Sequence, residues 1–255
     1  MAIVVRVGIA ILVIEFGIML LIEGALLPLY RDSVAPVFWQ FVDPVLLAVL
    51  LAPVLYFWVL RPMREAESKI LSLAFYDPLT HLPNRRLFND RLTQAMAETK
   101  RTKIFGALMF LDLDNFKALN DTHGHAMGDM LLRQVAKRLK ENMREMDSIA
   151  RFGGDEFVVL VRDLSADRAT STAQVGVLAE KIRASLAKPY LLTAQHPGQP
   201  DVVVEHRCSA SIGVVVFIKQ EADESDLLKW ADAAMYQAKS AGRDAIRFYQ
   251  GQTAA

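Results

Sequence analysis

Arg151-Phe152-Gly153-Gly154-Asp155-Glu156-Phe157 sets two glycines directly before two carboxylates, with Ile149-Ala150 ahead of the group and Val158-Val159-Leu160 behind it. Glycine takes positive φ without steric cost, so paired glycines between two apolar runs predict a tight β-hairpin turn. Asp155 and Glu156 then stand at a hairpin tip. A second acidic pair, in Phe110-Leu111-Asp112-Leu113-Asp114, closes an apolar run from Phe105 that reads as a buried strand. A carboxylate pair at a turn is ordinarily just solvated. Two strand ends that each offer carboxylates are different: they form a candidate cage for hard divalent cations, which take oxygen ligands.

Outward from the hairpin, β and α patterns alternate. The sequence predicts a helix over 84–99 after Pro83, a strand over 104–113, a helix over 125–143, strands over 147–153 and 156–162, and a helix over 168–187. Strands near 201–207 and 209–217, a helix over 223–240 and a strand over 244–249 follow. This order, with a hairpin at its centre, predicts an α/β sandwich with a mixed sheet. Residues 194–200 (Ala-Gln-His-Pro-Gly-Gln-Pro) read as a surface hairpin loop without chemistry.

Upstream the character changes. Residues 61–76 are charged and helical in pattern, and Met63, Ala66, Ile70 and Leu73 recur at heptad spacing. They read as an amphipathic helix on its own domain or as a short dimerising linker. Residues 7–29 and 34–60 are almost wholly apolar, each long enough to cross a bilayer as a helix of about 20 residues. A cleaved signal peptide is the rival reading of the first run, disfavoured by its length and by the second run behind it. Arg6 precedes the first run, and Arg61, Arg64 and Lys69 follow the second, whereas the short connection carries only Arg31, offset by Asp32. The positive-inside tendency then puts both termini in the cytoplasm. Glu15, Glu23 and Asp43 lie within or near the apolar runs, as sensing groups or as interfacial and inter-helix hydrogen bonders.

The 255 residues carry a formal net charge of zero, so nothing suggests bulk nucleic-acid binding. A single cysteine, Cys208, excludes an internal disulfide and reads as an inert structural thiol. The five histidines lack metal-site spacing.

The chain resembles the GGDEF-domain diguanylate cyclases, which make cyclic di-GMP from GTP. The resemblance covers roughly residues 73–249. It rests on Gly153-Gly154-Asp155-Glu156-Phe157, on Asp77-Pro78-Leu79-Thr80-His81-Leu82-Pro83-Asn84-Arg85-Arg86 and on Asp112-Leu113-Asp114-Asn115-Phe116-Lys117. Asn120-Asp121, Gly124-His125, Gly128-Asp129, Ser211-Ile212-Gly213-Val214, Ala231-Asp232-Ala233-Ala234-Met235-Tyr236-Gln237-Ala238-Lys239 and Gly242-Arg243 follow in order. One departure is His81, where the family usually has glycine.

The resemblance implies a palm-like nucleotide-cyclase domain over 77–250; the apolar runs and the heptad stripe put a two-helix membrane anchor (1–60) and a helical signalling linker (61–76) before it. Together they give the expectation of a homodimer in the bacterial inner membrane with its catalytic domain in the cytoplasm. Two GTP would be condensed with release of two pyrophosphates, using Mg²⁺ or Mn²⁺, two ions per site. By the family pattern, Asp112, the Leu113 carbonyl and Asp155 hold metal, and Glu156 is a further ligand or activates the attacking hydroxyl; the division between Asp155 and Glu156 stays open. Lys117 would add positive charge where the transition state gathers negative charge. Asn115, Phe116, Gly153 and Gly154 would cradle substrate, Asn120 and Asp129 would read guanine, and His125 would touch the nucleotide. Lys239 and Arg243 match the positions that bind the β- and γ-phosphates. Arg144 and Asp147 match a product-inhibition site for cyclic di-GMP. Two other readings compete with an active cyclase: a non-catalytic receptor for GTP or cyclic di-GMP, and a membrane adaptor whose soluble part only dimerises. The intact acidic hairpin favours the enzyme.

Overall fold

The computed structural model describes residues 2–21, 24, 45, 48–49, 51–194, 202–218 and 222–250. The chain divides into two compact units, residues 1–72 and 73–255.

In the first unit α1 runs Ala2–Leu21, and helix resumes over 51–60, where Tyr56–Leu60 has π geometry. Helix α2 is Arg61–Phe75, close to the expected linker. Among the described residues no helix is long and apolar enough to cross a membrane. Each expected span runs through residues outside the described set, as do Glu23, Asp43 and most of the 194–200 loop. Ile9, Val13, Phe16 and Leu20 on α1 are exposed apolar side chains, and Glu15 is exposed beside them. Met63 and Leu73, the ends of the heptad stripe, are both 65% exposed, so the stripe is not packed at either end. The side chains of Ala66 and Ile70 lie outside the described set.

The second unit opens with α3 (Arg85–Thr102), started by Asn84, whose side-chain oxygen accepts from the N–H groups of Arg86 and Leu87. The elements that follow are β1 (Gly106–Leu113), α4 (Phe116–His123), α5 (His125–Asn142), β2 (Ser148–Gly153), β3 (Glu156–Val161) and α6 (Arg168–Leu186). The chain closes with β4 (Tyr190–Ala194), β5 (Val202–His206), β6 (Ala210–Phe217), α7 (Glu224–Ser240) and β7 (Ile246–Phe248). A five-stranded sheet has the order β2-β3-β1-β6-β7, antiparallel except for the parallel β6–β7 pair. The mixed sheet is therefore as expected. β4 and β5 form a separate antiparallel hairpin, and β4 was not expected from the sequence.

β1 is central and buried along its whole length, which is why it reads as one continuous apolar run. Side chains alternate across it. Ala107, Met109 and Leu111 join the layer containing Leu131 and Val135 of α5 and Val175 and Ile182 of α6. Leu108 and Phe110 join the opposite layer, with Phe88 and Leu92 of α3 and Leu227, Ala231 and Met235 of α7. Gly213 sets how close α7 comes: a Cβ there would collide with the backbone of α7 at Ala231 and Met235. Without that close approach, the C-terminal end of α7 would not reach the end of β1.

Candidate active site

The antiparallel register of β1 and β3 places Asp112 directly opposite Glu156. Gly153 pairs with Glu156, so Gly154 and Asp155 make the turn, with Gly154 at φ 51° in the left-handed region. The Leu113 N–H donates to the Asp155 carbonyl at 3.3 Å, which ties the turn to the end of β1. The two acidic strand ends thus meet as expected.

A clamp that sequence reading missed holds the turn from behind. Arg151 donates through Nε and Nη2 to the Gly154 carbonyl at 3.1 and 2.7 Å. Its Nη1 lies 3.1 Å from both oxygens of Asp77. Burial works to raise the Asp77 pKa, but the Thr80 hydroxyl and N–H and the Arg151 guanidinium outweigh it and hold the group below its usual value. Residues 77–82 fold as a turn with His81 at φ 54°, the conformation glycine takes without cost. The departure from the family pattern therefore costs backbone strain without preventing the turn.

On the cleft side, Lys239 Nζ lies 2.8 Å from Asp112 Oδ1. Burial pushes the Asp112 pKa up to about 6; the Lys239 bond opposes this, and the charges of Asp155 and Glu156 add to it. Glu156 is raised as well, by burial first and then by Asp232 and Asp155, against Lys239 and Arg85. Arg85 starts α3 and lies over the Phe152 ring, 5.3 Å from its centre. Asp232 and Arg85 sat inside the quoted motifs, but nothing in their spacing tied them to Glu156.

Among the described residues, no group of three or more His, Cys, Asp or Glu side chains converges to hold an ion. The Lys239 ammonium offsets part of the charge on Asp112. The donor set nonetheless fits a hard divalent ion: Asp112, Asp155 and Glu156 are near enough to raise the Asp112 pKa, and all offer oxygen.

A cavity of about 510 Å³ opens from this point, lined by Asp112, Leu113, Asn115, Phe116, Lys117, Asp155, Lys239 and Arg243. Asn115 stands in the left-handed region at φ 59° and turns the chain from β1 into α4. Helices α4 and α5 bring Asn120 against Gly128, where a Cβ would collide with Asn120 Oδ1 and lie 3.1 Å from the Phe116 ring. That Oδ1 is buried against Gly128 and has no hydrogen-bond partner in the protein. Asp129 follows Gly128, and His125 is the first residue of α5; both are exposed.

Arg144 and Asp147 lie elsewhere, in the turn before β2, and line a second cavity of about 540 Å³. The length of β2, about 16 Å at ~3.3 Å per residue, separates them from the glycine turn. Asp147 already accepts from the Arg144 N–H (3.1 Å) and the Arg162 N–H (3.2 Å), so a ligand there would share its oxygens. Cys208 is buried, and burial pushes its thiol up to about 12, as befits an inert group.

A family model described as "Diguanylate cyclase, GGDEF domain" matches residues 74–245. The chain belongs to this family. Relatives include the bifunctional diguanylate cyclase/cyclic di-GMP phosphodiesterase MucR of Pseudomonas aeruginosa, 40% identical over 188 residues, which are 74% of this chain and 25% of MucR. The diguanylate cyclase DgcP of the same organism is 41% identical over 174 residues, 68% of this chain and 24% of DgcP. The chain thus spans about a quarter of the length of these relatives. Among solved structures, the isolated GGDEF domain of TpbB (YfiN) from P. aeruginosa matches at TM-score 0.60 and 37% identity, covering 69% of this chain and 94% of that one. The coiled coil and GGDEF domain of DgcB from Caulobacter crescentus, in complex with c-di-GMP, matches at TM-score 0.63 and 27% identity, covering 79% and 99%.

Proposed function

We propose that this chain is a diguanylate cyclase that condenses two GTP into cyclic di-GMP and releases two pyrophosphates. The observation that carries the reading is the pairing of Asp112 with Glu156 across β1 and β3, with Asp155 in the turn between and Lys239 reaching in from α7. In each half-reaction a GTP 3′-oxygen forms a bond to the α-phosphorus of the other GTP. The bond from that phosphorus to the bridging oxygen of the β-phosphate breaks, and the hydroxyl proton passes to a base. Glu156, its pKa raised by burial and neighbouring carboxylates, is suited to take that proton.

Asp112, Asp155, Glu156 and the Leu113 carbonyl would hold Mg²⁺ or Mn²⁺, two ions per site. Bound there, the ions neutralise triphosphate charge and favour the alkoxide. Lys239 and Arg243 bind the β- and γ-phosphates, and Lys117 adds charge at the cavity wall. Asn120 and Asp129 face the guanine edge, which offers N–H donors where adenine does not.

One unit carries one such cleft, so the two GTP are held by two copies facing each other across a two-fold axis. The exposed Met63 and Leu73 on α2 support a homodimer, and the DgcB structure that includes a coiled coil is a parallel for that linker. Arg144 and Asp147, lining a cavity away from the cleft, are the proposed product-inhibition site. The apolar runs at 7–29 and 34–60, and the exposed apolar side chains of α1, support anchoring in the inner membrane with the catalytic unit in the cytoplasm.

Incubation of the purified protein with GTP and Mg²⁺ tests the central claim. Cyclic di-GMP and pyrophosphate should accumulate in a ratio of about one to two, as the stoichiometry of two phosphodiester formations requires. GTP binding without turnover would instead favour the receptor reading.

A further inference from the structure

Asp114 is a buried carboxylate, 4% exposed, two residues beyond Asp112 where β1 leaves the sheet. The proposed chemistry gives it no role. It is nevertheless fully engaged. Oδ1 accepts from the Ser211 hydroxyl at 2.7 Å. Oδ2 accepts from the Ser209 hydroxyl at 2.7 Å and from the Asp244 N–H at 3.0 Å. All three partners donate, which explains a carboxylate at this place. Ser211 lies in β6 and Ser209 just before it, but the third partner belongs to the turn after α7, where Arg243 and Asp244 stand at φ 66° and 42°.

Two consecutive non-glycine residues at positive φ persist only where their surroundings fix them. Here the fixing is two-sided. Asp114 holds the Asp244 backbone, and Arg183 of α6 lies 2.6 Å from the Asp244 side chain. The Arg243 N–H donates to the Ala238 carbonyl and the Ala245 carbonyl accepts from Ile212. Arg243 lines the cleft together with Asp112 and Lys239.

We propose that Asp114 and Arg183 are positioning residues for the substrate triphosphate: they clamp the Gly242–Asp244 turn in its strained conformation and thereby aim Arg243 into the cleft. This rests on the reading of Arg243 as a phosphate ligand. Asp114 borders the cleft beside Asp112, but both its oxygens are taken by Ser209, Ser211 and the Asp244 N–H, so like Arg183 it acts through the turn.

The test compares binding of 3′-deoxy-GTP, which cannot be condensed, with 3′-deoxy-GMP, which lacks the β- and γ-phosphates, in the full chain with Mg²⁺. Arg243→Ala, Asp114→Ala and Arg183→Gln should each weaken the triphosphate, by roughly tenfold for the first two as expected for a lost charge-assisted contact. Arg183→Gln should have a smaller effect, and each should change monophosphate affinity less than about twofold. Combined with Arg243→Ala, either clamp variant should add little, because both act through one guanidinium. Arg183 is partly exposed, so its variant keeps the test open should Asp114→Ala fail to fold. Equal loss for triphosphate and monophosphate, or full additivity with Arg243→Ala, overturns the clamp while leaving the phosphate role of Arg243 standing. An Arg243→Ala variant that binds 3′-deoxy-GTP normally overturns both.

Discussion

Asp112→Asn separates the functional load on Asp112 from its structural load, because without a divalent ion the wild-type carboxylate destabilises its own fold. Its pKa rises from the ordinary 3.8 to about 6, chiefly through burial. A folded-state pKa above the unfolded one gives a contribution fully present below pH 3.8 and lost as pH rises through about 6. A shift of about two units corresponds to about 3 kcal/mol. Asparagine resembles the protonated acid and has nothing to lose with rising pH. The metal-free 73–250 unit carrying Asp112→Asn should therefore be more stable than wild type by up to about 3 kcal/mol at pH 8, and by roughly half that at pH 5. Water at the cleft mouth screens part of this, so a gap that widens by about 1 kcal/mol between the two pH values is the minimum expected. Urea denaturation in EDTA measures it. The same variant should make no cyclic di-GMP, and Mg²⁺ with 3′-deoxy-GTP should stabilise wild type but not the variant. A stability gap that is the same at pH 5 and pH 8 refutes the argument that burial and carboxylate repulsion load Asp112.

Arg144→Ala should keep activity and lose inhibition by added cyclic di-GMP in progress curves, since its cavity is separate from the acidic cleft. Gly128→Ala forces Asn120 Oδ1 aside; it should raise KM for GTP about tenfold, the worth of one good hydrogen bond, with a stability change under about 1 kcal/mol in thermal melts. Removing residues 1–72 should make specific activity rise with protein concentration, and fusing a dimeric coiled coil in register should restore it at low concentration; a monomer by light scattering with concentration-independent turnover would exclude the two-copy site. Arg151→Gln leaves Asp77 without its counter-ion and should cost about 2–4 kcal/mol by urea denaturation. The Arg151–Asp77 coupling, measured by a cycle with Asp77→Asn, should fade as pH falls through the depressed pKa of Asp77, because that stabilisation is present only while Asp77 is ionised.

The parts of the site legible in the sequence were those encoded by neighbours in the chain. The double glycine with its carboxylates is a local turn signal, and the unbroken apolar run of β1 is what burial on both faces demands. The expected strands and helices of residues 84–249 are largely found, because each has its own period and its own stop. β4 was lost because five residues following a helix give too short a pattern to separate from a loop. The supports of the site were invisible for another reason. Arg151 and Asp77 lie 74 residues apart, and Asp114 and Ser211 lie 97 apart. Each alone reads as an ordinary charged or polar residue. Lys239 illustrates the same point: its motif marks it as a phosphate ligand, but its ion pair with Asp112 joins α7 to the end of β1 and has no local signal.

The same long-range bonds bear on how a linker helix would influence chemistry. The carbonyls of Ala74 and Phe75, at the end of α2, accept from the side chain and the N–H of Asn84. The adjacent Pro83 carbonyl accepts from the Arg151 N–H at 3.0 Å. Arg151 then grips Asp77 on one side and the Gly154 carbonyl of the acidic turn on the other. Three links therefore run from the last turn of α2 to the loop that presents Asp155, with Asp77 as a side branch, and each involves a backbone carbonyl, which moves only when the chain itself moves. A continuous path transmits nothing unless its members have two arrangements that both ends bias. Among the described residues of this path, Arg151 is the one whose side chain bonds both to the 77–82 turn and to the catalytic turn, so any two arrangements must differ there. Arg151→Gln then decides between two roles. A clamp that is purely static loses stability and activity together, whatever the linker. A clamp that relays linker position loses, in addition, the difference in turnover between the coiled-coil fusion in register and the same fusion shifted by one residue.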